Sequence, residues 1–200
     1  MNTTEIVALY ALTAQDQSVL AHALQEARLA ILRASYQRAA RIAGVSSAWQ
    51  PTDLLLATIE LEATQTASMI AETFQADLTR FLSETVVTEK AWKQAGIGDI
   101  LASIGAWFKS HFGWKSDQIV ENTSSEASNE GVETFLDDVD SGGVDIGFST
   151  TLWVGVVPEN SSSDWCQDYA GYMYPIEDAG DIPAFPAHVG CIHKKVIINA

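Results

Sequence analysis

Cys166, His188, Cys191 and His193 are the residues of this chain whose types and spacing suggest chemistry. The stretch from Ser163 to His193 holds both cysteines and two of the four histidines. Thiolate sulfur and imidazole nitrogen are the donors that zinc takes up in closed structural sites. His188-x-x-Cys191 forms a tight knuckle, His193 follows after one further residue, and Cys166 comes from across a Pro-rich loop. Such a set pins a small loop-rich module at one point. Two other readings stand beside it. The cysteines could pair as one disulfide in an oxidising setting, which ranks below a metal site or two free thiols. Or they are small buried residues of a metal-free interaction module, with the histidines in ordinary hydrogen bonds.

Catalysis by the same residues needs more than donors. A catalytic zinc keeps one coordination position open and has an acid or base beside it. Asp168, Glu177 and Asp178 lie nearby in sequence, but H-E-x-x-H is absent, and so is H-x-E with P-C-x-x-C. There is no Gly-x-Ser-x-Gly and no phosphate-binding glycine loop. Cys166 is a poor nucleophile for His188, flanked as it is by Trp165 and set among donors. A zinc-dependent hydrolase is therefore the lesser alternative, and a non-enzymatic role is expected.

The elements that must position these residues follow from the rest of the chain. Two hundred residues, 47% apolar, suffice for a globular domain or a helical body with an appendage. No apolar run reaches the roughly 18 residues of a bilayer span, so no membrane contact is expected. Glu5 and the lack of a basic opening segment make a secretory leader unexpected. Charge is uneven. Residues 116–200 hold 2 Lys+Arg and 15 Asp+Glu, a net of −13 out of −15 for the chain. That half repels phosphate backbones, which disfavours nucleic acid there, and it suits either solvent or a basic protein partner.

Residues 1–115 read as a helical body. Thr13-x-x-Asp16 marks a helix start, Val19 to Tyr36 carry a 3.6-residue apolar period, and Gly44 suits the C-terminal cap. Arg28, Arg33, Arg38 and Arg41 are expected on a solvated face rather than against DNA. Pro51-Thr52 opens a second long helix whose seam is Ile59, Ala63, Thr66, Ile70, Phe74, Leu78 and Phe81. A short loop between two long helices favours antiparallel neighbours. Gly96, Gly98 and Gly113 bracket a third helix over Asp99–Phe112, rich in aromatics with Trp92, Trp107 and Trp114 nearby, and His22 and His111 are expected to be structural or exposed.

Residues 116–143 read as a linking helix, Asp117 to Val139, followed by an acidic glycine loop. Asp137, Asp138 and Asp140 lack the later Glu of an EF-hand calcium loop. Residues 144–200 turn β-like: Val144, Ile146 and Phe148 alternate, Leu152–Val157 is an apolar run, a short strand is expected around Tyr172-Met173-Tyr174, and Lys-Val-Ile-Ile-Asn closes the chain. The fold class expected is α+β: a long-helix amino-terminal body with a small β-rich, loop-rich module that has little core and gains most from a metal clip.

The run from Leu152 to His193 resembles the carboxy-terminal signature of phage minor head proteins, the Mu-F-like head morphogenesis family. That signature has a Trp-containing strand, a C-x-x-C-x-x-L-x-G-x-x-[YF]-P segment, an acidic Pro-rich loop, and H-P-x-C-x-C. Here Cys166 takes the second Cys position, with Gly171 five residues on and Tyr174-Pro175 closing the segment. Ser163 stands at the first Cys position, Val189 replaces the Pro, His188 and Cys191 match H-x-x-C, and His193 replaces the final Cys. The resemblance spans roughly residues 117–197 and is firmest over 163–193. It implies a virion protein, a minor head or portal-proximal component assembled in the host cytoplasm, with the portal, major capsid or adaptor proteins as partners and a homo-oligomer possible. A head–tail adaptor is the alternative within the virion. The four donors Cys166, His188, Cys191 and His193 would make the closed set of a structural zinc.

Overall fold

The computed structural model describes residues 7, 8, 10–46, 49–88, 97–146, 152–158, 163–183, 185, 191 and 193–199. Three long helices come first: α1 (Ala14–Ile42), α2 (Asp53–Thr88) and α3 (Ile97–Asp140). Then follow β1 (Leu152–Val157), the one-turn helix α4 (Asp164–Gln167), β2 (Met173–Pro175), a 3₁₀ turn (Ile176–Asp181) and β3 (Lys194–Asn199). The layout is α+β, mostly helical, with a three-stranded antiparallel sheet near the carboxyl end in the order β2-β1-β3. No helix among the described residues is long and apolar enough to cross a membrane.

Local chemistry sets the helix ends. The Thr13 hydroxyl accepts from the Asp16 N–H at 3.1 Å, and the Thr13 N–H donates to the Asp16 carboxylate at 2.9 Å. These are the reciprocal bonds of a capping box with Asp at the last position. The Thr13 hydroxyl and N–H together hold the Asp16 carboxyl below the usual carboxylate range. Thr52 caps α2 through its hydroxyl, which accepts from the Leu55 N–H. Gly44, at φ +74°, ends α1. Its N–H donates to the Arg41 carbonyl and the Val45 N–H to the Ala40 carbonyl, the paired bonds of a Schellman cap.

Helix α3 departs from the two segments expected on either side of Gly113. It runs unbroken for 44 residues, through Gly98, Gly105 and Gly113. An interior glycine costs a helix about 1 kcal/mol relative to alanine. Packing of Phe112 and Trp107 before it, and of Val132 and Phe135 after it, outweighs that. At the sheet, the expected alternation from Val144 yields no strand over 144–146, and Phe148 lies outside the described residues. Gly142, at φ +76°, instead folds the chain back on the end of α3, where the Val144 N–H donates to the Asp138 carbonyl.

The chain divides into two compact units, Met1–Glu26 with Thr52–Ser116, and Ala27–Pro51 with Asp117–Ala200. Helices α1 and α3 each supply residues to both. In the first unit, Phe74, Leu78 and Leu82 of α2 are buried with Ile104 of α3 and with Val7. Trp107 stacks on Phe81 at 5.0 Å and on His111 at 5.0 Å. The Asp77 carboxylate, nearly buried, meets Lys115, His111 at 3.2 Å and Arg80 at 2.5 Å. Its hydrogen bond from Lys115, ahead of the opposing desolvation, holds its pKa below the usual carboxylate value. A depressed carboxylate pKa stabilises the fold above the unfolded pKa of about 3.9, and that contribution is lost as pH falls through the folded value. In thermal melts followed by circular dichroism, Asp77→Asn should therefore melt below wild type at pH 6, and the gap should shrink below about pH 4. A gap that is constant from pH 6 to pH 3 contradicts this.

In the second unit, α1 and α3 touch through small residues. A Cβ on Gly131 would lie 2.4 Å from the Leu32 carbonyl oxygen and 2.8 Å from the Ser35 Cβ. Ser35 and Ser128 meet at 3.2 Å. Ser128, one of the serines that dilute the helical pattern of residues 117–139, thus lies where the backbones approach closely. Arg28 and Glu130 pair across the same contact at 3.1 Å. Tyr36 is buried between Trp49 and Phe135, and its hydroxyl donates to Asp138 at 2.7 Å. On the sheet, Leu152, Val154 and Val156 of β1 join the same core as Phe135 and Val132.

A buried cysteine and histidine cluster

Each donor reaches the cluster by a different piece of local structure. Cys166 lies on α4, one turn opened by Ser163, whose carbonyl accepts from the Gln167 N–H. The Ala170 N–H closes on the Cys166 carbonyl at 2.9 Å, and Gly171, at φ +81°, then turns the chain into β2. Only glycine adopts that conformation without strain. The Gly171 N–H donates to the Val156 carbonyl and the Val156 N–H to the Tyr172 carbonyl, which ties this turn to β1. Cys191 and His193 precede β3, whose register on β1 pairs Val156 with Lys195 and Val154 with Ile197.

The three side chains converge. Cys166, Cys191 and His193 are 0%, 2% and 2% exposed, and their donor atoms all lie within 4.8 Å of one another. The two Sγ atoms are 3.7 Å apart, and Cys191 Sγ lies 3.7 Å from His193 Nδ1. A disulfide requires about 2.05 Å between sulfurs. Tetrahedral bonds of about 2.3 Å to sulfur and about 2.0 Å to nitrogen place two sulfurs about 3.8 Å apart and sulfur and nitrogen about 3.5 Å apart. The separations fit donors grouped about one metal ion. His193 Nε2 is buried without a hydrogen-bond partner among the described residues. Such an orphan is uncommon in a folded core, and because Nδ1 is the nitrogen that faces Cys191 Sγ, it leaves the far side of the ring without an anchor among the described residues. The Phe185 ring, 6.1 Å from that of His193, flanks the imidazole. His188, the fourth expected donor, lies outside the described residues.

Two positioning residues are absent from the sequence reading. Asn129 of α3 is 1% exposed. Its Oδ1 accepts from the Lys195 N–H at 2.6 Å and its Nδ2 donates to the His193 carbonyl at 3.2 Å. One side-chain amide thus brackets the backbone on both sides of Lys194 and fixes how His193 enters β3. Lys195, 2% exposed, sits on the core-facing side of β3 with Ile197. Its Nζ donates to the Ile182 carbonyl at 2.9 Å and pairs with Glu133, one turn beyond Asn129 on α3. The signal was present but weak. Asn129 interrupts the stripe formed by Val132, Phe135 and Leu136, and strand alternation from Ile197 puts Lys195 inward. A buried polar residue on an apolar stripe implies a specific partner.

No protein-family model, curated protein or solved structure matches this chain. The resemblance to phage head proteins therefore rests on the residues of the carboxy-terminal stretch alone. What the geometry establishes is a buried cluster of two thiols and an imidazole at the junction of α4, β3 and the core, whose donor atoms are close enough together that they could hold a metal ion.

Proposed function

We propose that this chain is a virion structural protein, a minor head or portal-proximal component, and that its carboxy-terminal cluster holds a structural zinc. The observation that carries this reading is the burial of Cys166, Cys191 and His193 together, because these are also residues on which the likeness to the Mu-F-like signature depends. Two sulfurs and an imidazole suit zinc better than a hard, oxygen-seeking cation. Cys166, Cys191 and His193 would ligate it, with His188 the fourth donor by sequence. Bound zinc would supply a crosslink between α4 and β3 rather than an activated water, because donors this deeply buried leave little room for substrate. The long helices would then supply assembly surface, and the small sheet a rigid knob. The acidic second half would face basic protein or solvent.

The reading is tested in the particle. Quantitative mass spectrometry of purified virions, with a reconstruction of the portal vertex, should find the chain at low copy number near that vertex. Its absence from purified particles removes the virion role, and a ring stacked between portal and tail would make it a head–tail adaptor instead. Neither outcome bears on the metal, which is a property of the isolated chain.

A further inference from the structure

The second unit carries an open groove of about 760 Å³ between the end of α3, the turn that follows it, and the 3₁₀ turn Ile176–Asp181. Its floor is aliphatic. Leu136, Val139, Val144, Ile146 and Ile176 are half-buried, each packed on the main core from one side and lining the groove on the other. Its rim is anionic. Asp137, Asp140, Asp145 and Glu177 line it together with Glu133, and no lysine or arginine does so among the described residues. The Lys195 ammonium is buried against one of these acids, Glu133. The walls are preformed. The Ser141 N–H donates to the Asp137 carbonyl and the Gly142 N–H to the Val139 carbonyl, fixing the turn that sets Val144 and Ile146 against the groove.

We infer that this groove is a docking site for a segment of a partner protein in which lysine or arginine side chains flank an aliphatic anchor. The two features ask for the same occupant. Exposed aliphatic floor is covered by apolar side chains, and a rim of one sign selects the opposite charge and speeds encounter. Lysine and arginine satisfy both, because their methylene stems lie on apolar surface while the charged head reaches a carboxylate. Nucleic acid is repelled by the rim, and a bare metal ion would gain nothing from an aliphatic floor. The volume is within the usual range of binding clefts, about 300–1,000 Å³. The inference does not rest on the virion reading, since floor and rim are the same in whatever assembly the chain joins.

The test is fluorescence anisotropy on the full chain with three labelled probes of equal length: an amphipathic lysine–leucine peptide, its glutamate–leucine counterpart, and a lysine–serine peptide. The lysine–leucine probe should bind, more weakly as salt rises, while the glutamate–leucine probe should not. The lysine–serine probe should bind at least about tenfold more weakly, since it lacks the anchor. Combining Asp137→Asn, Asp140→Asn and Glu177→Gln should weaken the lysine–leucine probe about tenfold. Neutralising as many acids away from the groove, with Glu121→Gln, Asp164→Asn and Asp168→Asn, should change binding less than about twofold. Equal loss in the two triple variants, or equal binding of the lysine–serine probe, shows diffuse charge attraction and overturns the proposal. No binding of the lysine–leucine probe at low salt overturns it as well.

Discussion

Chelation should lower the melting temperature of this 200-residue chain by about 10 °C. A ligand that binds only the folded state stabilises it by RT ln(1 + [L]/Kd), about 4 kcal/mol when free ligand stands at a thousand times Kd. For chains of 150–250 residues each kcal/mol moves the midpoint by about 2–4 °C, which gives roughly 8–16 °C. The cluster is where such a loss falls hardest, because the sheet has three strands among the described residues, one of them three residues long. Freshly reduced protein should contain about one zinc by elemental analysis, as one closed site requires. Cys191→Ser should bring the midpoint down to the chelated value, and chelator should then do nothing further. Near-ultraviolet circular dichroism is the better readout, since Tyr169 and Phe185 pack beside the cluster and report on the second unit. Metal-free protein that melts where untreated protein melts would remove the zinc clip and leave the fold as described.

Asn129→Ala should cost roughly 2–6 kcal/mol, the second of the two largest effects expected. The substitution leaves two buried backbone groups, the His193 carbonyl and the Lys195 N–H, without their partner. An unsatisfied buried donor or acceptor costs about 1–3 kcal/mol, and there are two here, in addition to the small cavity. In chemical denaturation the midpoint should fall while the slope stays the same, since the exposed area of the unfolded chain does not change. Metal affinity should fall too, because the backbone that carries His193 is no longer bracketed. Asn129→Asp tests the assignment of the amide: it keeps the acceptor for the Lys195 N–H and loses the donor, and it places a charge beside a carbonyl. An Asn129→Ala variant with unchanged midpoint and unchanged metal affinity would show that the bracket does not hold β3.

Much of this could be read from the chain. The first two helices show in their apolar period, and their ends in Thr13, Asp16, Thr52 and Gly44, because capping is a contest between backbone groups a few residues apart; the third shows only as two shorter stretches. The strands Leu152–Val157 and Lys194–Asn199 show in the same way. Cys166, Cys191 and His193 stand out because cysteine and histidine are rare here and have few roles once grouped. Misreading Gly113 as a helix end has a physical cause. A glycine signals weak local propensity, and the long-range packing that overrules it is invisible at that residue.

What the sequence by itself determined is therefore local: periodicity, caps, turn glycines, charge balance, and the donor types available. Those depend on interactions spanning a few residues, so neighbouring letters suffice. The tertiary structure alone decided the rest. It brought α1 and α3 close enough that only glycine fits at 131, set Asn129 against a strand more than 60 residues away, and turned Lys195 inward to Glu133. It also drew two thiols from 25 residues apart to a spacing of 3.7 Å. None of these has a short-range signature. Each is a contact between groups whose separation in the chain says nothing about their separation in space, and whose energy appears only when burial removes water from around them.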